Sequence, residues 1–373
     1  MNKKTTNKKT VRPVVDRIKV AIDMHLKNYR FVRQQDYSAP EPPQKLSPEA
    51  FLRWLAKQLT LAKEVVVCYE AGCFGYEPAR RMQAMGARVL VIAPQNWDEQ
   101  GKRQVNDKFD ARVMCRRLSD HLDGHRHALS LVRIPSREEE QRRSVGRQRD
   151  QLRKVQRQTQ AMGRSLLLRH EVAACGQWWR GRAWARLVKS LPAAVLAQLE
   201  HYRAVLVVCE KEAAALEAEL TAEAQPAERF FGEGALTHEL LAREIMTQAR
   251  FQNGRQVGNY FGLCPSESTS DQRRRLGSIT KHGNPRLRHL MVELAWRVFF
   301  DQPGYRGTQK WAPVLGNPQA GGARRKKAIV ALARQLAVDL WRLQTGRVQF
   351  ADLGLTQEST RRRRRAAKTA PQP

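Results

Sequence analysis

The sequence predicts a mixed α/β domain, then a helical coiled-coil module, then a mainly helical domain. Short apolar blocks that alternate or run unbroken mark strands up to about residue 135. Two heptad seams follow. After residue 227, helix-start signals succeed one another to about Leu343.

In the first domain, residues 14–135, Ile18, Val20 and Ile22 alternate with polar neighbours, the period of a half-buried strand ending at Asp23. Residues 29–32 follow closely enough to return as its hairpin partner. Ser47 and Pro48 supply an N-cap and a first-turn proline for a helix over 48–61. Residues 65–69 are continuously apolar, which predicts a central strand buried on both faces and ending at Glu70. A helix closing at Gly86 and a strand over 89–92 complete a right-handed βαβ unit, and another helix spans 107–118.

Residues 136–226 carry the seams. One is Val145, Gln148, Leu152, Val155, Thr159, Met162 and Leu166. The other is Val195, Leu199, Tyr202, Leu206, Cys209, Ala213, Leu216 and Leu220. These steps predict two long helices that pair with each other or with a second subunit, a dimerisation module. In the third domain, residues 227–350, Gly232-Glu233-Gly234 precedes a helix, Gly262-Leu263-Cys264-Pro265 opens a Ser-rich loop, and Asn284-Pro285 starts a helix. Residues 1–13 and 351–373, the latter with Arg361 to Arg365, read as basic tails.

Sixty-seven Lys and Arg against 36 Asp and Glu leave a net charge of +31. That excess predicts a polyanionic partner, nucleic acid ahead of a membrane surface. No apolar run approaches the roughly 18 residues of a membrane-crossing helix, so neither membrane insertion nor secretion is expected. Cys68, Cys73, Cys115, Cys175, Cys209 and Cys264 form no CxxC pair and are expected reduced and buried, in a cytoplasmic protein. His121, His125 and His127 surround Gly124 without helical spacing, which reads as a polar helix end.

Four acids form a pattern. Asp23 and Glu70 end strands, and Asp107 and Asp110 lie three apart on one helix face. Strands of one sheet ending at one edge, with a helix nearby, can gather all four. A cluster of carboxylates alone suits Mg²⁺ or Mn²⁺, and two such ions stabilise attacking and leaving oxygens in phosphoryl transfer. Solvated caps and strand ends are the plainer alternative on spacing alone. In the loop 265–277, Ser266, Ser268 and Ser270 beside Arg273, Arg274 and Arg275 offer a nucleophile with a phosphate clamp. A mobile polar loop has the same composition.

The order Ala21-Ile22-Asp23, Tyr69-Glu70-Ala71-Gly72, Asn106-Asp107-Lys108-Phe109-Asp110-Ala111 resembles the RuvC-like (RNase H-like) α/β domain of the DEDD insertion-sequence transposases, the bridge-RNA-guided recombinases. Gly232-Glu233-Gly234-Ala235-Leu236-Thr237 stands where that family has Gly-x-Gly-x-x-Thr. Ala249-Arg250-Phe251, Tyr260-Phe261-Gly262-Leu263-Cys264-Pro265, Gly277-Ser278-Ile279-Thr280-Lys281-His282-Gly283-Asn284 and Leu287-Arg288-His289-Leu290 are similar to its transposase domain.

The resemblance implies that Asp23, Glu70, Asp107 and Asp110 are the catalytic tetrad and hold Mg²⁺, with Mn²⁺ as a substitute. It implies a nucleophilic serine in a Ser-Ser-Gly setting, matched here by Thr269-Ser270-Asp271 and hence by Ser270. Asp271 departs from the usual glycine and leaves Ser268 and Ser266 as alternatives. The implied activity is RNA-guided DNA recombination through a phosphoserine intermediate, excising and inserting a mobile element. A structured non-coding guide RNA would select target and donor double-stranded DNA, held in part by Arg273, Arg274, Arg275, Lys281, Arg286 and Arg288. A homo-oligomer, dimer or tetramer, is implied, in a prokaryotic cytoplasm and on the nucleoid when active. The competing expectation is a RuvC-like Mg²⁺-dependent nuclease that hydrolyses DNA with the tetrad alone.

Overall fold

A computed structural model describes residues 15–94, 107–173, 176–222, 229–270 and 273–357. The chain divides into two compact units, Met1–Ser136 and Arg137–Pro373. Most of the two expected basic tails lies outside the described residues.

The first unit runs β1 (Val15–Met24), β2 (Tyr29–Gln35), β3 (Gln44–Leu46), α1 (Pro48–Leu59), β4 (Ala62–Glu70), α2 (Glu77–Ala84), β5 (Arg88–Ile92), α3 (Asp107–Leu122) and β6 (Leu131–Val132). Its strands form one sheet in the order β3-β2-β1-β4-β5-β6. β1 pairs antiparallel with β2 and parallel with β4, and β5 continues the parallel set. On one face Ile18, Val20, Ile22, Val65 and Val67 pack with Phe51 and Leu55 of α1. On the other, Ala21, Val66 and Cys68 pack with Ala111, Met114, Cys115 and Leu118 of α3. Cover on both faces is why β4 reads as an unbroken apolar run. Ser47 caps α1 by accepting from the Ala50 amide at 3.3 Å. The helix ends at Leu59, earlier than expected, because the chain must turn into β4 by Ala62.

The second unit comprises α4 (Arg137–Arg169), α5 (Gly181–Ser190), α6 (Ala193–Thr221), α7 (Ala235–Ile245), α8 (Gly254–Tyr260), β7 (Pro265–Ser270), β8 (Arg273–Ile279), α9 (Pro285–Asp301), α10 (Arg306–Leu315), α11 (Gly322–Gln344) and α12 (Phe350–Leu353). The core lies among α9, α10 and α11, where Leu287, Met291, Leu294 and Val298 meet Ile329, Leu332 and Leu336. Leu353 and Leu355 are buried in that core, so the chain to residue 357 is not the tail expected from residue 351. The Ser-rich segment also differs from expectation: it is a two-stranded antiparallel hairpin, β7–β8, rather than a loop.

α4 and α6 pair antiparallel within one chain. Arg149 and Arg153 hold Glu217 at 2.6 and 2.9 Å, and the Gln156 amide donates to Glu210 at 3.0 Å. The α6 seam is as expected, with Leu199, Leu206, Ala213 and Leu220 buried, but it faces α4 of the same chain. The α4 seam is not. Of its expected members Thr159 is buried, but Val155 and Met162 are exposed, and Gly146, Gln156, Gly163 and Leu167 are buried in their place. Trp178 explains the shift: its indole N–H donates to the Gln160 carbonyl at 3.2 Å, and its ring lies flush on Gly163. A methyl group at Gly163 would sit 2.0 Å from the ring. Gly163→Ala therefore must push Trp178 out of place, at a cost of about 1–3 kcal/mol. Thermal unfolding should shift down by several degrees; an unchanged melting temperature would contradict this packing.

Among the described residues, no helix is long and apolar enough to cross a membrane.

Candidate functional site

In the first unit the parallel register pairs Ile22 with Tyr69, so the next residues, Asp23 and Glu70, stand on neighbouring strands at one edge of the sheet. Glu70 is opposite Ile92 of β5. Both acids are half-buried, and Asp23 Oδ2 lies 3.1 Å from His25 Nε2. α3 runs against the direction of β1. The buried Lys19 donates to Ser119 Oγ at 2.6 Å, and Cys115, one turn earlier on α3, packs at Ala21. Each turn back along α3 thus steps toward Asp23, and the first turn, with Asp107 and Asp110, lies toward the same edge. The side chains of those two residues fall outside the described set, as does Asn106.

The donors at this edge are carboxylate oxygens, which fit a hard divalent cation. The two buried thiols of this unit, Cys68 and Cys115, stay protonated near neutral pH. Burial pushes the Cys115 thiol up to about 12 and the Cys68 thiol well above its usual value. Cys209 and Cys264 are likewise free and buried, but Cys73 is exposed, against expectation; Cys175 lies outside the described residues. Among the described residues no group of three or more His, Cys, Asp or Glu side chains is arranged for a metal.

In the second unit, Ser270 stands opposite Arg273 at the end of the hairpin away from its base, Thr269 opposite Arg274 and Ser268 opposite Arg275. The side chains of 268–270, 273 and 274 are outside the described set, as is Asp271. Arg275 and Lys281 are exposed. Ser266 donates to the Ser278 carbonyl at 3.1 Å, which ties the two strands together.

The base of the hairpin is fixed by backbone. Thr280 N–H donates to Cys264 at 2.8 Å, and Asn284 N–H donates to Tyr260 at 2.8 Å. Gly283 crosses Gly262 so closely that a Cβ on it would meet backbone atoms at 2.2 and 2.3 Å. Arg288, expected at nucleic acid, donates to the Lys281 and Phe261 carbonyls at 3.3 and 3.5 Å and braces this crossing.

Asn284 then does two things. Its Oδ1 accepts from the Arg286 and Leu287 amides and caps α9, while its Nδ2 donates to Glu244 Oε2 at 3.0 Å. Glu244, at the end of α7 and only 2% exposed, accepts from Arg147 of α4 at 3.0 and 3.1 Å. Arg286 also pairs with Glu244 at 3.2 Å and with Asp150 at 2.7 Å. The expected phosphate contact Arg286 is thus engaged inside the protein. Glu244 was not anticipated from the sequence, where it is one acid among the apolar positions of α7. The Gly232–Thr237 motif shapes the entry to the same helix: Gly232 has φ +94°, Gly234 caps α7, and Thr237 accepts from Arg297 at 2.8 Å.

Burial alone would push the Glu244 carboxyl up, but Arg147, Asn284 and Arg286 outweigh it and hold it below the usual range. A depressed folded-state pKa means stabilisation that is complete above the unfolded value of about 4.3 and lost as pH falls through the folded value. Glu244→Gln should cost about 3 kcal/mol, the low end for breaking a buried pair, because Arg147 keeps access to water. Its unfolding curve should also lose part of the wild-type acid sensitivity below about pH 4.3. Equal stability of both proteins at pH 7 would contradict the arrangement.

Residues 224–307 match the transposase IS116/IS110/IS902 family, a span from before α7 to the start of α10. The chain is 29% identical over 304 residues to "Putative transposase y4rJ" of Sinorhizobium fredii, covering 74% of this chain and 76% of that one. It is 24% identical over 312 residues to "Transposase for insertion sequence element IS1328" of Yersinia enterocolitica, covering 80% and 89%. A third relative, "Transposase for insertion sequence element IS1533" of Leptospira borgpetersenii, is 25% identical over 303 residues, covering 77% and 86%. With the matched domain built around the braced hairpin and with relatives aligned across both units, the chain is similar to transposases of the IS110/IS116 family and, like them, is an enzyme of DNA cleavage and rejoining.

Proposed function

We propose that this transposase is an RNA-guided DNA recombinase in which Ser270 is the nucleophile and Asp23, Glu70, Asp107 and Asp110 form a Mg²⁺-holding tetrad in a RuvC-like domain. The observation that carries this is the β1–β4 register, which sets Asp23 beside Glu70 where two parallel strands end. Antiparallel β1–β2–β3 followed by parallel β4 and β5 supports the RuvC-like assignment. In the hairpin, positions alternate between faces, so Ser268, Ser270, Arg273 and Arg275 occupy one face and Thr269 and Arg274 the other. Hydroxyl and guanidinium positions on one face suit attack on a phosphate.

In the proposed reaction the Ser270 oxygen gives up its proton and bonds to phosphorus. The sugar oxygen of the scissile linkage leaves and takes up a proton, and protein and DNA are joined as a phosphoserine diester. Attack by a sugar hydroxyl of the exchanged strand restores a DNA phosphodiester and returns the serine. A metal bound by the tetrad would polarise the phosphate oxygens. Arg275 and Lys281, both exposed, would stabilise the added charge. Arg286 and Arg288 hold the hairpin and α9 in place.

The net charge of +31 supports a partner as anionic as a structured RNA together with target and donor duplexes. Base pairing by that RNA would choose the sequence, leaving the protein to hold backbone and shape. A homo-oligomer belongs to the same proposal. Its contacts would use outward apolar residues such as Val155, Met162 and Val208, since the inner seam is already filled.

Ser270→Ala tests the nucleophile. Nucleic-acid binding, spread over many phosphate contacts, should stay within a few-fold, while cleavage, strand exchange and any DNA-linked protein on a denaturing gel should vanish. An adduct that persists moves the nucleophile elsewhere, with Ser268 next. Normal cleavage without an adduct in either protein means hydrolysis by the tetrad and defeats the proposal. Glu70→Gln removes one charged oxygen with little change of shape, so it should abolish cleavage and leave RNA binding nearly unchanged. Full cleavage by that variant would overturn the tetrad.

A further inference from the structure

Beside the base of the hairpin, β8, α10 and α11 line a groove of about 1270 Å³ that the proposed chemistry leaves unused. Its floor is apolar, formed by Leu263, Trp311, Val314, Ala331 and Val338. Its rim carries Lys310, Arg324, Lys326, Lys327 and Arg334. Among the described lining residues Asp339 is the acid, and it is already engaged: it accepts from Tyr305 at 2.8 Å and pairs with Arg306 and Arg342. The available charge of the groove is therefore positive.

Two further features point the same way. α11 begins with Arg324, Arg325, Lys326 and Lys327 in its first two turns and no acid in the first, so four cations stand at the positive end of the helix dipole. Such an arrangement is relieved by an anion. The Trp311 indole N–H is buried without a hydrogen-bond partner in the protein, and Lys310 Nζ stands 5.6 Å from the centroid of its ring, so an aromatic face and a cation lie side by side at the groove.

We propose that this groove binds unpaired nucleotides of a nucleic-acid strand, with bases on Trp311 and the apolar floor and phosphates on the basic rim. A duplex keeps its bases stacked inside and has nothing to bury on such a floor, whereas a single strand presents both a π-face and a phosphate at every step. The volume exceeds the roughly 300–1,000 Å³ of a typical small-molecule site, which leaves room for more than one nucleotide. The basic segment Arg361 to Arg365 of the chain itself has the wrong sign of charge for this rim. The proposal requires neither Ser270 as nucleophile nor a guide RNA, and it is tested by binding alone.

The probes are a fluorescent 12-nucleotide oligothymidine and a 12-base-pair duplex, titrated into the full chain. Trp311→Ala should weaken the single strand about tenfold, within the range for loss of one stacking platform, and change the duplex less than twofold. Trp311→Phe should keep most of the affinity. Replacing Lys326 and Lys327 by Gln should flatten the salt dependence for the single strand by about 1.4 in log–log slope. If Trp311→Ala folds poorly, Trp311→Leu preserves apolar volume without a stacking face and gives the same comparison. Wild-type single-strand affinity in Trp311→Ala or Trp311→Leu, equal loss for single strand and duplex in either, or displacement of the oligonucleotide by polyglutamate as readily as by unlabelled oligothymidine would each overturn the proposal.

Discussion

The hairpin that carries Ser270 stands on a crossing of two backbones. Gly283 meets Tyr260 and Gly262 with no room for a Cβ, and the amides of Thr280 and Asn284 close the ring around it. A two-stranded ribbon is at best marginal by itself in water, so this one takes its position from its base. The crossing also delivers Asn284 to the start of α9, where it caps the helix and reaches Glu244. Through Glu244 and Arg147 the long α4 is fixed to the same point. One close approach of main chain thus sets the hairpin, a core helix and the helical pair in a common frame.

A register sets the frame in the first unit. Parallel pairing of β1 with β4 allows Asp23 and Glu70 to share an edge, and a slip of one residue would send one of them to the opposite face. Burial on both sides of β1 and β4 makes that slip costly, because every apolar position would change faces. α3 completes the layer, and its antiparallel course along β1 follows from the facing residues Cys115 and Ser119 against Ala21 and Lys19. The acids are placed by hydrophobic packing several residues away.

Much of this was legible. The alternation in β1 and the unbroken apolar runs of β4 and β5 mark those strands in the sequence, and the caps Ser47 and Asn284 mark α1 and α9. β3 and β6 are short edge strands of three and two residues, too brief to show a pattern. β7 and β8 read as a loop in the sequence because their residues, Ser, Thr and Arg, contain no apolar alternation. On α4 the apolar pattern misled, because the face beneath Trp178 needs a glycine and small or polar residues rather than Leu or Val. Glu244 was invisible for a similar reason: its partners come from α4 and α9, about 40 to 100 residues away, and no local spacing encodes them. The bracing contacts of Arg286 and Arg288 were equally invisible, since their partners, Glu244 and the Lys281 carbonyl, follow from the fold and not from local spacing.

The claim on which the functional account turns is that one hydroxyl of the hairpin bonds to DNA. The most direct measurement is to trap the protein on a cleavage substrate, digest the trapped species with protease, and sequence the peptide that bears a nucleotide by mass spectrometry. The account predicts a single modified peptide from the β7–β8 hairpin with the added mass on Ser270. A modified residue outside that hairpin, or complete cleavage with no modified peptide at all, would contradict it.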